Sequence, residues 1–161
     1  MKIKAITLYQ PYASLKVTPG AKECETRGWP MPSTVRQGDL VAIHAGALNV
    51  ATSLDRYNVS IAEGLTMRDA LGFADLADLF TLPRGAVVGI CRFEDCLRAE
   101  DLEPDERELC FGDFSDGRFA WRMPPVYALP EPVLAKGKQG LWEWQMPQWV
   151  ESAMVDAGVR V

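Results

Sequence analysis

The sequence predicts a single α+β domain, mainly β, built as a small β-barrel with flanking helices and a helical insertion. Its 161 residues correspond to one domain of ordinary size. About five to seven short apolar or alternating runs, separated by Gly and Pro turns, are typical of strands. The predicted helices are a short one after the first strand, two in the middle of the chain and one at its end. Because strands and helices do not alternate regularly, a partly closed barrel is favoured over a doubly wound parallel sheet.

The first third of the chain supplies three predicted strands and one short helix. Ile3 to Thr7 alternates and predicts a strand. Pro11 suits the first turn of a helix, which Pro19-Gly20 ends. Lys22 to Arg27 predicts the second strand, and the apolar run Leu40 to His44 predicts a buried third strand.

The middle of the chain is predicted to be the helical insertion. Ala47 to Arg56 predicts a short helix, and Thr66 to Phe80 predicts a longer one with Thr66 as its N-cap. Pro83-Arg84-Gly85 then interrupts the helical pattern. Ala86 to Phe93 follows as a strongly apolar strand.

The last third carries further strands and a terminal helix. The acidic stretch Glu94 to Glu108 is expected to be a solvated, mobile loop; alternatively it supplies a distant catalytic carboxylate or a divalent-ion site. Strands are predicted at 118–123, 126–129, 133–134 and 141–144. Residues 1–144 then form the barrel core and 147–158 the C-terminal helix of one domain spanning 1–161.

Composition and charge exclude several functional classes. No apolar run is long enough to span a bilayer, and the N-terminus lacks the apolar region of a signal peptide, so we expect a cytoplasmic protein without membrane association. A net charge of −5 argues against broad binding to duplex nucleic acid. Four cysteines without CxxC spacing and one histidine form a poor ligand set, so we expect neither a metal nor another cofactor.

Several segments together resemble one known family. Gly20-Ala21-Lys22-Glu23-Cys24-Glu25-Thr26-Arg27 is similar to the G-x-K-x-x-E-x-R signature of the ASCH (activating signal cointegrator homology) domain. The other matching segments are Gln10 to Ala13, Ala42 to Gly46, Gly112 to Trp121 and Lys136 to Trp142. Their order and spacing extend the resemblance over Met1 to Trp144.

The resemblance implies a PUA-like barrel whose cleft binds RNA or a modified nucleoside. One bacterial branch of the family resembles an amidohydrolase of acylated cytidine that uses a lysine, a threonine three residues later and a distant glutamate, and a ribonuclease activity has been proposed for other members. Lys22 matches that lysine, whereas Glu25 occupies the threonine position. Thr26 has the opposite strand parity and is expected to point to the other face.

The residues of the signature predict a polar cleft. Arg27 offers a planar fork for a phosphate or a base edge, Lys22 a compact charge, and Glu25 an acceptor that orients one of them or reads an amino group. Lys22 lies on the opposite parity to Glu25 and Arg27, so a bulge or the start of the strand must redirect it. If the protein is an enzyme, Lys22 and Glu25 are the predicted catalytic pair.

Further ligand-binding residues are predicted around this strand. Trp29 could stack on a base, and the glycine-rich loop 136–140 could hold an anion or be a solvated turn. His44 could contact a ligand or bond a backbone carbonyl. The predicted binding set is Gln10, Arg27, Trp29, His44, Asp113, Arg118, Lys136 and Lys138.

Three functions remain open at this point. An RNA- or nucleoside-binding domain is favoured. A hydrolase of RNA or of a modified nucleoside, acting through Lys22 and a carboxylate, is the first alternative. A protein-interaction module is the second, because the negative net charge is compatible with it. The sequence does not indicate an oligomeric state.

Overall fold

Eight strands and five α-helices are connected in the order β1, α1, β2, β3, α2, α3, β4, β5, α4, β6, β7, β8, α5 in the computed structural model, which describes residues 1–161. The strands are β1 (Lys2–Leu8), β2 (Cys24–Arg27), β3 (Leu40–Ala45), β4 (Ala86–Arg92), β5 (Asp95–Arg98), β6 (Phe119–Arg122), β7 (Pro125–Leu134) and β8 (Leu141–Gln145). The helices are α1 (Tyr12–Val17), α2 (Val50–Arg56), α3 (Ile61–Ala70), α4 (Glu106–Phe111) and α5 (Gln148–Asp156). The predicted α+β class is therefore confirmed.

The strands form two separate sheets rather than the predicted barrel. Five strands pair in the order β7-β4-β3-β1-β8, and three pair in the order β2-β6-β5. β7 and β8 lie at opposite edges of the larger sheet and do not meet. β7 carries Pro125, Pro130 and Pro132, which have no N–H to donate to a further strand. The prediction of a small, partly closed barrel is therefore wrong, because the strands pair in two separate sheets.

The hydrophobic core lies on both faces of the five-stranded sheet. One face packs against the three-stranded sheet and α1, with Ile43 and Trp121 at its centre. The other face packs against α5 through Val150 and Met154. A third cluster joins α1 to the helical insertion through Leu15, and it ends at Phe111. This third cluster attaches α2, α3 and α4 beside the start of β2.

The helical insertion differs from the prediction in its boundaries. α3 begins five residues before Thr66, because Ser60 and Glu63 form a capping box there. The Thr66 hydroxyl instead donates to the Ala62 carbonyl within the helix. α3 ends at Ala70, and Gly72 follows in a left-handed conformation at φ = 73°. The rest of the predicted helix is a short 3₁₀ segment, Leu76–Thr81.

The acidic stretch is structured, so the prediction of a mobile loop is wrong. It contains β5, a 3₁₀ turn and the start of α4. Asp95 forms a two-pronged ion pair with Arg122 on the neighbouring strand β6. The Asp105 side chain accepts the Glu108 amide and so caps α4. Local strand pairing and capping, which composition does not reveal, order this segment.

No helix of the protein has the length and apolar character that crossing a bilayer requires.

Candidate functional site

A polar cavity lies where β2 meets the helical insertion. Its volume is about 520 Å³, within the usual range for small-molecule sites. It is bounded by β2, by the end of β1, by the turn after α2, by the first turn of α3, and by the end of α4 with the residues that follow it. The lining residues predicted as functional from sequence are Lys22, Glu25, Arg27, Trp29, Asp113 and Arg118. We call this space the β2 cavity.

Three charged side chains meet at the inner end of the β2 cavity. Glu25 lies between two cations: its Oε2 is 3.6 Å from Lys22 Nζ and its Oε1 is 3.0 Å from Arg27 Nε. The Lys22 side chain is only 2% exposed, and its ammonium also donates to the Cys24 carbonyl. The arrangement brings a carboxylate and two cations together in a partly desolvated place, where charge-assisted contacts to a ligand are strong.

Arg27 keeps its hydrogen-bonding capacity. Its Nε is buried near Glu25, but the N–H does not point at the carboxylate and has no hydrogen-bond partner. Its guanidinium carbon lies 5.7 Å from the centre of the Trp29 ring, at the mouth of the cavity. A guanidinium held by an aromatic face, with free donors, is well suited to bind a phosphate or a base edge.

Lys22 reaches the cavity because it precedes β2 rather than belonging to it. Gly20 turns the chain in the left-handed region at φ = 72°, and regular pairing with β6 starts only at Cys24. The strand parity that would place Lys22 on the opposite face therefore does not apply. The expected redirection at the strand start is observed.

Two residues that the sequence analysis missed hold this segment in place. The buried Lys16 ammonium on α1 donates to the carbonyls of Glu23 (2.7 Å), Lys22 (3.3 Å) and Met123. From the other side, the Glu108 carboxylate on α4 accepts the amides of Glu23 and Cys24. Burial lowers the pKa of Lys16, whose three acceptors are neutral carbonyls. The only available signal was a lysine within the otherwise apolar end of α1.

Tyrosines form the wall opposite β2, and the sequence analysis missed these as well. Tyr12 and Tyr57 meet edge to face with their ring centres 5.2 Å apart, and Tyr9 lies 6.5 Å from Tyr57. Burial raises the pKa of Tyr12 and of Tyr57, so both phenols stay protonated at neutral pH. With Trp29, which is 49% exposed at the mouth, they give the cavity aromatic surfaces on which a planar ring can stack.

Thr26, Asp113 and Arg118 form one side of the cavity mouth. Thr26 Oγ1 accepts the Asp113 amide at 3.1 Å, and Arg118 donates to the carbonyls of Asp113 and Thr26. Hydrogen bonds from Ser115, and then the Arg118 charge, lower the pKa of Asp113. Thr26 lines the same cavity as Glu25 despite its opposite parity, because β2 is an edge strand and the cavity extends around that edge.

The remaining predicted residues lie outside the β2 cavity. The Gln10 amide is buried and bonds Ser14 and the Pro83 carbonyl. The exposed Lys136 and Lys138 lie on the loop 136–140, and neither lines the cavity. The two predicted groups of residues therefore occupy separate places in the structure.

His44 is buried beneath this loop. Its Nε2 lies 2.8 Å from the Ala135 carbonyl, and its ring meets Trp142 edge to face at 5.6 Å. A Cβ at Gly137 would lie 2.5 Å from the histidine ring, so the loop passes directly over it. Burial lowers the pKa of His44, which favours the neutral ring that donates to this carbonyl. Of the two interpretations of His44, the structure contains the hydrogen bond with a backbone carbonyl.

No three His, Cys, Asp or Glu side chains come together as a metal site would require.

Comparisons with known proteins give structural similarity only. No family model matches the chain, and no curated protein matches it. Two solved structures of ASCH from Zymomonas mobilis, one of them a point mutant, each align with a TM-score of 0.46 and 13% sequence identity. The alignments cover 96% of this chain and 98% and 93% of the two structures. The chain is similar in structure to ASCH proteins over nearly its full length, at low sequence identity.

Proposed function

We propose that the protein is an RNA- or modified-nucleoside-binding domain of the ASCH type, and that its ligand occupies the β2 cavity. The observation that carries the proposal is the composition of this cavity. Charged groups at its inner end, Lys22, Glu25 and Arg27, face walls made of tyrosine and tryptophan. A nucleobase has the complementary structure: a flat face that stacks and an edge of donors and acceptors.

The charge of the cavity agrees with this ligand class. Lys22, Arg27 and Arg118 are balanced by Glu25, Glu63 and Asp113 among the lining residues. A site with balanced charge suits a neutral base better than a run of phosphates, and the net charge of −5 disfavours wrapping of a duplex. The ligand is therefore expected to be a single nucleoside or a few nucleotides of a single strand.

Titration calorimetry with a panel of nucleosides and short single-stranded RNAs tests the proposal. Arg27→Ala should weaken binding by roughly 10- to 100-fold, because it removes charge-assisted contacts in a partly desolvated site. Lys2→Ala serves as the control, since this exposed lysine on β1 pairs with Glu143 far from the cavity. Failure of every nucleoside and RNA to bind, or equal effects of both substitutions, would contradict the proposal.

A hydrolase acting on a modified nucleoside or on RNA is the second candidate. The observation that favours it is a hydroxyl, Thr26 Oγ1, lining the same cavity as the Lys22 amine. Lys22 would serve as base or nucleophile and Glu25 as its partner. Incubation followed by mass spectrometry separates the two functions: a binder returns its ligands unchanged. If turnover occurs, Lys22→Arg should abolish it while preserving much of the affinity, because arginine keeps the charge but does not release a proton.

A further inference from the structure

The inner end of the β2 cavity offers hydrogen-bonding groups that the protein itself does not use. The Glu25 carboxylate accepts no hydrogen bond, although a cation lies beside each oxygen. The Lys22 ammonium has one hydrogen-bond acceptor, the Cys24 carbonyl, and so retains donors. The Arg27 guanidinium donates no hydrogen bond to any protein group. These three groups are thus available to a ligand.

Their order around the cavity is donor, acceptor, donor. Glu25 stands in the middle, with Lys22 beside one carboxylate oxygen and Arg27 beside the other. A buried polar group left without its partner costs free energy, so the best ligand satisfies all three groups together. The complementary edge therefore presents an acceptor, a donor and an acceptor in that order.

Among the four bases of RNA, only uracil carries this edge. Its two carbonyl oxygens flank the N3–H, as in any cyclic imide. Cytosine and adenine would bring a ring nitrogen lone pair against the Glu25 carboxylate. Guanine can donate to the carboxylate, but its exocyclic amine would then face one of the two flanking cations, Lys22 or Arg27.

We propose that the β2 cavity recognises the imide edge of uracil. The N3–H donates to the Glu25 carboxylate, and the two carbonyl oxygens accept from Lys22 and Arg27. The ring stacks on the aromatic wall that includes Tyr12 and Tyr57. This inference rests on the proposed function, since it specifies which base the nucleoside site takes.

NMR titration of the protein with uridine, 3-methyluridine, cytidine and guanosine tests the inference. 3-Methyluridine keeps both carbonyls and the stacking surface of uridine but carries a methyl group in place of the N3–H. Uridine should bind about 10- to 100-fold more tightly than 3-methyluridine and cytidine, the usual effect of one charge-assisted contact. Guanosine should bind more weakly than uridine.

The outcomes separate the inference from the proposed function. If 3-methyluridine, cytidine or guanosine binds as tightly as uridine, the recognition of uracil is wrong while nucleoside binding stands. If none of the four nucleosides and no short RNA binds, both proposals are wrong. The comparison of ligands needs only the unaltered protein, so it does not depend on the folding of a variant.

One substitution tests the proposed contact between the Glu25 carboxylate and the uracil N3–H. Glu25→Gln replaces the carboxylate by an amide, which can donate to the cytosine N3 as well as accept from the uracil N3–H. The preference for uridine over cytidine should fall to about twofold or less. Glu131→Gln, at an exposed position on β7, is the matched control and should keep the full preference. A Glu25→Gln protein that folds and retains the full preference would overturn the inference.

Discussion

The β2 cavity and the region around His44 contain similar residue types, but their polar groups are in opposite states. In the β2 cavity, Glu25 and Arg27 face an open space with their hydrogen-bonding capacity unused. In the other region, His44 is 1% exposed, bonds the Ala135 carbonyl and is covered by Gly137. The first region leaves hydrogen-bonding groups available beside an open space, whereas the second holds a loop against the sheet.

The comparison shows that residue type alone does not identify a site. A histidine near two glycines and two lysines has the composition of a ligand site, yet here it serves packing. What distinguishes the β2 cavity is unused hydrogen-bonding capacity next to accessible space. The same difference predicts how each region responds to substitution.

The largest expected effect on stability comes from Lys16→Met, behind the β2 cavity. The change keeps the side-chain volume, leaves the carbonyls of Lys22 and Met123 without the Lys16 donor, and leaves the Glu23 carbonyl with only the Met123 amide. We expect the free energy of unfolding to fall by about 3 kcal/mol, measured by urea denaturation. Affinity for the nucleoside should also fall in the folded variant, because Lys22 is no longer held. An unchanged unfolding free energy would show that Lys16 does not anchor the cavity.

Gly137→Ala should have a smaller effect and leave ligand binding intact. The added Cβ would lie 2.5 Å from His44 Cε1 and 2.8 Å from Thr7 Oγ1, so the loop must move away. Overpacking of this kind costs about 1–3 kcal/mol. Thermal denaturation should show the loss, while the nucleoside affinity stays within about twofold of the unaltered protein. A large loss of affinity instead would move the binding site to this loop.

Lowering the pH should reduce the free energy of unfolding, because burial disfavours the protonated form of His44. Because the folded-state pKa of His44 lies below its ordinary value of 6.5, the unfolded chain binds the proton first as pH falls. The contribution to stability is therefore present above about pH 6.5 and declines below it, at no more than about 1.4 kcal/mol per pH unit. His44→Gln, whose amide can donate to the Ala135 carbonyl, should remove this part of the pH dependence. Identical pH profiles of the two proteins between pH 5 and 7 would refute it.

The smallest effect is expected from Lys138→Ala. This exposed lysine lies outside the β2 cavity, and salt screens its long-range influence on a ligand. Affinity for a nucleoside should change by less than about twofold, whereas Arg27→Ala changes it at least about tenfold. Comparable losses from the two substitutions, measured side by side by calorimetry, would mean that the loop takes part in binding.

Local patterns predicted every strand except β5, and they predicted the charged residues that meet at the inner end of the cavity. The apolar runs that form β3 and β4 are recognisable because each is bounded by turn residues. Lys22, Glu25 and Arg27 lie within six residues, so one motif reveals all three. Even the redirection of Lys22 followed from its place after Pro19-Gly20.

The parts of the site and of the fold that were not predicted depend on contacts between distant segments. Tyr12 and Tyr57 meet across 45 positions of sequence, and Glu108 bonds the amide of Cys24 from α4. Neither pairing leaves a local pattern. The two-sheet arrangement depends likewise on which strands pair, and the prolines of β7 indicate an edge only once its neighbours are known.

The NMR signals of two tryptophan indoles allow the most direct comparison of the two regions. Trp29 stands at the mouth of the β2 cavity, and Trp142 contacts His44. In a ¹H–¹⁵N spectrum, with the indole signals assigned by Trp→Phe variants, titration with a short single-stranded RNA should shift Trp29 and leave Trp142 in place. A shift of Trp142 with Trp29 unchanged would contradict the assignment of the ligand site to the β2 cavity.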